Sequence, residues 1–147
     1  MDNLNTKEQT TALHTAGLVV IQENKLLLAF SNNKKAWYLP GGKIDAGETP
    51  LEALQREIQE ELRIKLQTSD LQYYTHITAP AFGEEKNLVM EQDCYRYILT
   101  ETLQPGNEIG GIQFFSPEEY AHEPAQVPGV IQLFKQLTAE GILIKLP

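Results

Sequence analysis

The chain reads as an α/β protein, a mixed β-sheet covered by helices on both faces, and three features of its sequence point there. Strand-like runs come first, one amphipathic helix interrupts them, and further strand-like runs lead to a terminal helix. That order suits helices layered on a sheet rather than an all-helical or all-strand domain. The interrupting helix carries three start signals together: Thr49 as N-cap, Pro50 at the first helical position and Glu52 to complete a capping box. The third feature is size, since 147 residues with 41% hydrophobic and 22% charged residues suit one domain with its own core.

Taken in order, residues 1–12 are polar and aperiodic, which predicts a loose tail ahead of a single domain over 13–147. Ala16 to Ile21 and Lys25 to Phe30 read as strands joined in a hairpin around Glu23-Asn24. A polar loop, Ser31 to Ala36, follows. Trp37-Tyr38-Leu39-Pro40 then leads into Gly41-Gly42, where paired glycines let backbone pass close to another group. Beyond the helix, Leu71 to Ala79 and Leu88 to Leu99 are rich in aromatic and β-branched residues and read as strands. Residues 80–87 form a loop between them. Ile112 to Phe115 predicts a short strand, Ser116-Pro117-Glu118-Glu119 a short capped helix, and Gly129 to Glu140 a longer one ended by Gly141. In that last helix Val130, Leu133, Phe134 and Leu137 face inward. There are no internal repeats and no linker.

The chemistry concentrates on the central helix. At about 100° per residue, Glu57, Glu60 and Glu61 fall on one side, beside an apolar stripe of Leu51, Leu54, Ile58 and Leu62. Taken alone, a Glu-rich helix face is a solvated surface. Three carboxylates held beside the protein body, however, repel one another until a cation neutralises them, and an all-oxygen set suits Mg²⁺ or Mn²⁺.

The wider spacing gives this cluster a context. Gly42, Glu48, Arg56, Glu57, Ile58, Glu60, Glu61 and Ile64 fit the pattern Gly-x5-Glu-x7-Arg-Glu-U-x-Glu-Glu-x-Gly-U, with U aliphatic. Six fixed residue types in this spacing arise by chance about once in ten million start positions. The stretch resembles the Nudix box, the signature of the Nudix hydrolase family. One position departs, since Arg63 stands where the box has glycine, which bears on how the helix ends and removes no carboxylate.

The resemblance implies an α/β/α sandwich and hydrolysis of a phosphoanhydride in a nucleoside diphosphate derivative. It also implies that Glu57, Glu60 and Glu61, with the Gly42 carbonyl and Glu108, hold Mg²⁺ (or Mn²⁺), and that a metal-activated water attacks phosphorus. Glu48 would lie at the metal cluster, and Arg56 would brace the carboxylates through charge-assisted bonds. Glu108, just before a short strand, is the favoured base; Glu61 is an alternative, as are Glu84 and Glu85 on the loop. The run GGKIDAGETP with REIQEE is most similar to the MutT branch, which cleaves nucleoside triphosphates, oxidised ones included, to monophosphate and pyrophosphate. Pro80 lies near the position of a proline characteristic of the ADP-ribose branch, which keeps that branch as the alternative. A nucleotide sensor without catalysis is a third reading, and the intact box glutamates argue against it.

Outside the box, Trp37, Tyr38 and Phe82 are candidates to stack on a base, and each is equally a core aromatic. Asn33, His122 and Gln126 could bond a base edge or cap a turn, and Lys34, Lys35 and Lys43 could meet phosphates. A net charge of −8 argues against nonspecific nucleic-acid or acidic-membrane binding and fits a protein that recruits cations to handle anionic substrates; the small nucleotide partner is what the resemblance implies. The single Cys94 excludes an internal disulfide and a thiolate metal site, and its apolar surroundings predict a buried structural role. No apolar run approaches a membrane span and no signal-peptide core is present, so a cytoplasmic protein is expected. The family resemblance allows a homodimer, although no sequence patch demands one.

Overall fold

In the computed structural model, which describes residues 11–85 and 87–146, two four-stranded sheets lie between helices. The first sheet has the order β5-β1-β7-β6, built from β1 (Thr11–Val19), β5 (Gly41–Lys43), β6 (Gln72–Pro80) and β7 (Leu88–Arg96). β1 runs parallel to β7 along its whole length, from Thr11 opposite Leu88 to Val19 opposite Arg96, and the other two pairings are antiparallel. In the second sheet β3 (Lys25–Ser31) pairs with β2 (Ile21–Gln22), β4 (Ala36–Tyr38) and β8 (Ile109–Phe115).

The expected single sheet is therefore divided, and one expected strand with it. Ala16 to Ile21 is broken at Val20: β1 serves the first sheet and β2 the second, with the Val20 carbonyl accepting from Leu27 N–H at 3.0 Å. The hairpin turn falls where expected, with Glu23 and Asn24 both left-handed (φ 50° and 63°), the geometry that matches strand twist. Pairing also recruits Thr11 and Ala12, expected in the tail, into β1, and residues 1–10 lie outside the described residues. Lys86 of the 80–87 loop lies outside them as well.

Alternation along the strands feeds two cores. Ala16, Leu18 and Val20, with Leu27, pack with Leu54, Ile58 and Leu62 of α1 (Pro50–Leu62). Val19, Leu26 and Leu28 pack with Ile77, Cys94 and the Val130, Leu133, Phe134 and Leu137 stripe of α3 (Pro128–Ala139). This is the α/β/α sandwich. Leu51 is only partly buried, and Ala53 takes its place in the α1 stripe. Cys94 is fully buried, and burial pushes its thiol up to about 12, so it stays protonated. The short α2 (Pro117–Tyr120) is capped by Ser116 and delivers Tyr120, whose hydroxyl accepts from Val127 N–H at 3.0 Å. Among the described residues no helix is long and apolar enough to cross a membrane.

Candidate active site

α1 starts where its local chemistry dictates. Thr49 Oγ1 accepts from Glu52 N–H at 3.1 Å, Glu52 Oε1 accepts from Thr49 N–H at 2.9 Å, and Pro50 occupies the first turn. The helix closes on Arg63 in the left-handed conformation (φ 61°, ψ 33°). Its last carbonyls are satisfied by a segment distant in sequence: Gln104 N–H donates to Leu62 O at 3.1 Å and Gly106 N–H to Glu61 O at 2.8 Å. A side chain at Gly106 would collide with the Glu60 carbonyl, so glycine allows this approach. The same segment runs into Glu108, which adopts φ 64° and whose carbonyl accepts from Asn32 N–H at 2.9 Å.

A cleft of about 400 Å³ opens between the two sheets. Its floor is the face of the first sheet carrying Leu13, Thr15, Met90 and Gln92, and its acidic rim carries Glu57, Glu61 and Glu108. α1 packs behind that sheet, so its carboxylates reach the cleft at the edge strand β5, where Gly41 and Gly42 present no side chains. Gly41 N–H donates to Glu61 Oε1 at 3.0 Å. A Cβ on Gly42 would lie 2.5 Å from Glu57 Cδ. The glycine pair thus serves as the doorway for the two glutamates.

Arg56 organises the surrounding acids. Its Nε and one terminal nitrogen donate to both oxygens of Glu48 (2.8 and 2.9 Å), and the other terminal nitrogen donates to Glu57 Oε2 at 2.9 Å. It also donates to the Lys43 carbonyl at 3.1 Å and lies 3.3 Å from Asp45 Oδ2, which ties the 43–48 loop to the helix. Hydrogen bonding to Arg56 holds Glu48 down at about 2, whereas burial raises Glu57 despite the same guanidinium. Glu61 is pushed up to about 8 by burial, with the charges of Glu57 and Glu60 adding to it and the Gly41 N–H opposing it.

The structure brings Gly42, Glu57, Glu61, Glu108, Tyr38, Lys43 and Phe82 to the one cleft, with Asn33, Lys34 and Glu84. Lys34 Nζ donates to Glu84 Oε2 (2.8 Å) and to the Gly83 carbonyl, and Tyr38 OH donates to the Phe82 carbonyl at 3.0 Å, so the 81–84 loop is anchored over the opening. Glu48 and Glu60 do not line the cleft; Glu48 is engaged by Arg56, and the Glu60 side chain is 59% exposed. Glu85 and His122 are exposed and outside it.

Besides His122, two more base-stacking or base-bonding candidates lie elsewhere. Trp37 is a core aromatic, edge-on to Phe30 and Phe115 with centroids 5.3 and 5.0 Å apart. Gln126 caps a turn, donating to the Tyr120 and Glu123 carbonyls, and faces a different cavity. Sequence reasoning missed Thr15, Asp45 and Gln92. The first and last had a faint signal, as polar residues at alternate positions otherwise held by apolar or small ones, Leu13 and Gly17 on β1 and Met90 and Cys94 on β7.

A divalent cation fits this donor set in part. Glu57 and Glu61 are hard oxygen donors at the cleft, whereas the Gly42 carbonyl, expected to join them, is turned toward β1 by the Ala16–Gly42 register, between the Leu18 N–H to Pro40 O and Ile44 N–H to His14 O bonds. Among the described residues no three acidic, His or Cys side chains converge into a complete shell.

An α/β/α sandwich that brings helix carboxylates to a cleft through a glycine edge defines a class of acid-lined α/β domain. A NUDIX domain model matches residues 12–137, and the chain belongs to the Nudix family. It is 33% identical over 90 residues to an RNA pyrophosphohydrolase of Francisella tularensis subsp. mediasiatica, covering 61% of this chain and 48% of that one. A shorter match, 56% identical over 32 residues, is to an 8-oxo-dGTP diphosphatase of Haemophilus influenzae, covering 22% of this chain and 24% of that one. The chain thus spans about half, or less, of the length of these curated relatives. The MutT protein of Methanosarcina mazei shares the fold, with a TM-score of 0.71 at 16% identity over 90% of this chain and 96% of that one.

Proposed function

We propose that the chain is a Mg²⁺- or Mn²⁺-dependent hydrolase cleaving a phosphoanhydride of a small nucleotide, with nucleoside triphosphates, oxidised ones included, going to monophosphate and pyrophosphate. The observation that carries this reading is the arrival of Glu57 and Glu61 at the Gly41-Gly42 edge of a nucleotide-sized cleft. Held there by Glu57 and Glu61, with the exposed Glu60 side chain, 3.8 Å from Arg56, able to swing in, a divalent cation would screen phosphate charge and acidify the attacking water.

The protein's own groups do the rest. Arg56 holds Glu57 and the 43–48 loop in one geometry, so little reorganisation is needed when substrate enters. Lys34 and Lys43 offer positive charge for phosphate oxygens on the same cleft. Glu108, on the cleft rim, takes the proton of the attacking water as general base. Tyr38 and Phe82 give one wall an aromatic surface for a base. The protein acts on free nucleotides in the cytoplasm.

Glu57→Gln, Glu60→Gln and Glu61→Gln test the assignment. Each is expected to lower kcat by about a hundredfold or more while the chain stays folded, with unfolding midpoints compared at pH 5, where Glu61 is protonated in the parent as well. Near-parent rates in both Glu57→Gln and Glu61→Gln would remove the carboxylates from the mechanism. ADP-ribose hydrolysis is the second reading, resting on Pro80 at the end of β6, and the same assay distinguishes it by its products.

A further inference from the structure

Two polar side chains on the cleft floor have no part in the reaction described above. Thr15 and Gln92 are register partners on β1 and β7, only 7% and 8% exposed, in a row that runs Lys43, Thr15, Gln92, Ile77 across the first sheet. Their neighbours on this face are apolar or small: Leu13, Gly17 and Val19 on β1, Met90 and Cys94 on β7. Thr15 Oγ1 is, among the described residues, the fully buried side-chain polar atom that has no hydrogen-bond partner. An orphaned buried hydroxyl destabilises the chain unless something else satisfies it.

Gln92 is similarly half-used. Its Oε1 lies 3.8 Å from the Cys94 Sγ, which donates weakly to it. The amide nitrogen donates to no acceptor among the described residues, and the missing side chain of Gly17 makes room for it, since a Cβ there would lie 3.1 Å from Nε2. The Cys94 thiol lies equally far, 3.8 Å, from the Gln92 backbone carbonyl, and Nε2, without an acceptor on a residue that lines the cleft, is the end of the amide left for a ligand. The floor therefore offers two unused donors, one amide and one hydroxyl, beneath the apolar surfaces of Leu13, Met90 and Phe82.

We infer that Thr15 and Gln92 read the nucleobase, donating together to an exocyclic carbonyl oxygen and so favouring a 6-oxopurine such as guanine over adenine; the inference rests on the nucleotide reading of the cleft. A carbonyl has two lone pairs to receive both donors. The adenine 6-amino group sets a donor against the Gln92 donor and leaves it unpaired in a dry site, a mismatch that hydrogen-bonding pockets reject sharply.

The test is calorimetric titration of the intact protein with GMP and with AMP, in chelator, for the parent and for Thr15→Val, Gln92→Leu and Gln92→Glu. Unfolding midpoints confirm that each variant is folded. The parent is expected to bind GMP at least about tenfold more tightly than AMP. Thr15→Val and Gln92→Leu should each reduce that ratio severalfold, and Gln92→Glu, an acceptor in the same place, should invert it. Equal affinities in the parent, a ratio unchanged in the variants, or no binding of either nucleotide overturns the assignment. A parallel hydrolysis assay separates the two claims. GMP discrimination without turnover of any triphosphate keeps the base pair and removes the hydrolase reading, whereas turnover without discrimination does the reverse.

Discussion

Arg63→Gly should make the protein more stable, and the size of the gain follows from the end of α1. Arg63 sits at φ 61° and ψ 33°, where its Cβ crowds the following carbonyl, while its N–H still donates to Gln59 O at 3.2 Å. For an L-residue this conformation costs about 1–2 kcal/mol, and glycine escapes it. Against that, glycine has more backbone freedom to lose on folding, about 0.5–1 kcal/mol. The Arg63 guanidinium also gives up one exposed contact to Asn107 Oδ1 at 3.3 Å, which contributes little in water. The net is a stabilisation of about 0.5 kcal/mol, or about 1–2 °C in a domain of this size. Urea unfolding of Arg63→Gly and Arg63→Ala, with equal m-values required, measures it. Alanine keeps the strain and should be neutral or slightly destabilising. A loss of stability of similar size in both variants would refute the reasoning, because the guanidinium contact and not the backbone would then govern this end of the helix.

Three further outcomes follow from the same geometry. Gly42→Ala puts a methyl 2.5 Å from Glu57 Cδ, at the end of a flexible side chain, so the unfolding midpoint should barely move while kcat falls at least about tenfold. Gly106→Ala sets its methyl against the Glu60 backbone carbonyl, which cannot step aside, and should destabilise by about 1–3 kcal/mol in urea. In chelator, Glu61 keeps its proton up to about 8 in the folded chain, against 4.5 for an ordinary glutamate. The folded chain therefore binds more protons between those values, and stability falls as pH rises through that window, by on the order of 4 kcal/mol for this group alone. Denaturant titrations at pH 5 and pH 8 should show the fall, Glu61→Gln should flatten it, and a rise in stability with pH would contradict the burial of Glu61.

Local chemistry explains which parts were legible in the sequence. Thr49, Pro50 and Glu52 announce the start of α1 because the cap needs only side chains and backbone three residues apart, and Ser116 does the same for α2. The α3 stripe of Val130, Leu133, Phe134 and Leu137 was readable from periodicity alone. What depended on distant partners was not. The break at Val20 follows from two sheets competing for one apolar run. Trp37 and Gln126 looked like ligand contacts until Phe30, Phe115 and the 120–123 turn claimed them. Thr15 and Gln92 stand 77 positions apart, and only the parallel β1–β7 register makes them neighbours. Arg63 was visible as a departure from the box, but the outside help from Gln104 and Gly106 was not.

The most direct test of the central claim is a divalent-metal-dependent hydrolysis screen that resolves products. The panel takes ribo- and deoxynucleoside triphosphates, oxidised dGTP, ADP-ribose, dinucleoside polyphosphates and nucleotide sugars. The account predicts Mg²⁺- or Mn²⁺-dependent release of pyrophosphate and monophosphate from a triphosphate, abolished by chelator and by Glu61→Gln. No turnover of any member with either metal, or turnover undiminished in Glu61→Gln, would contradict it.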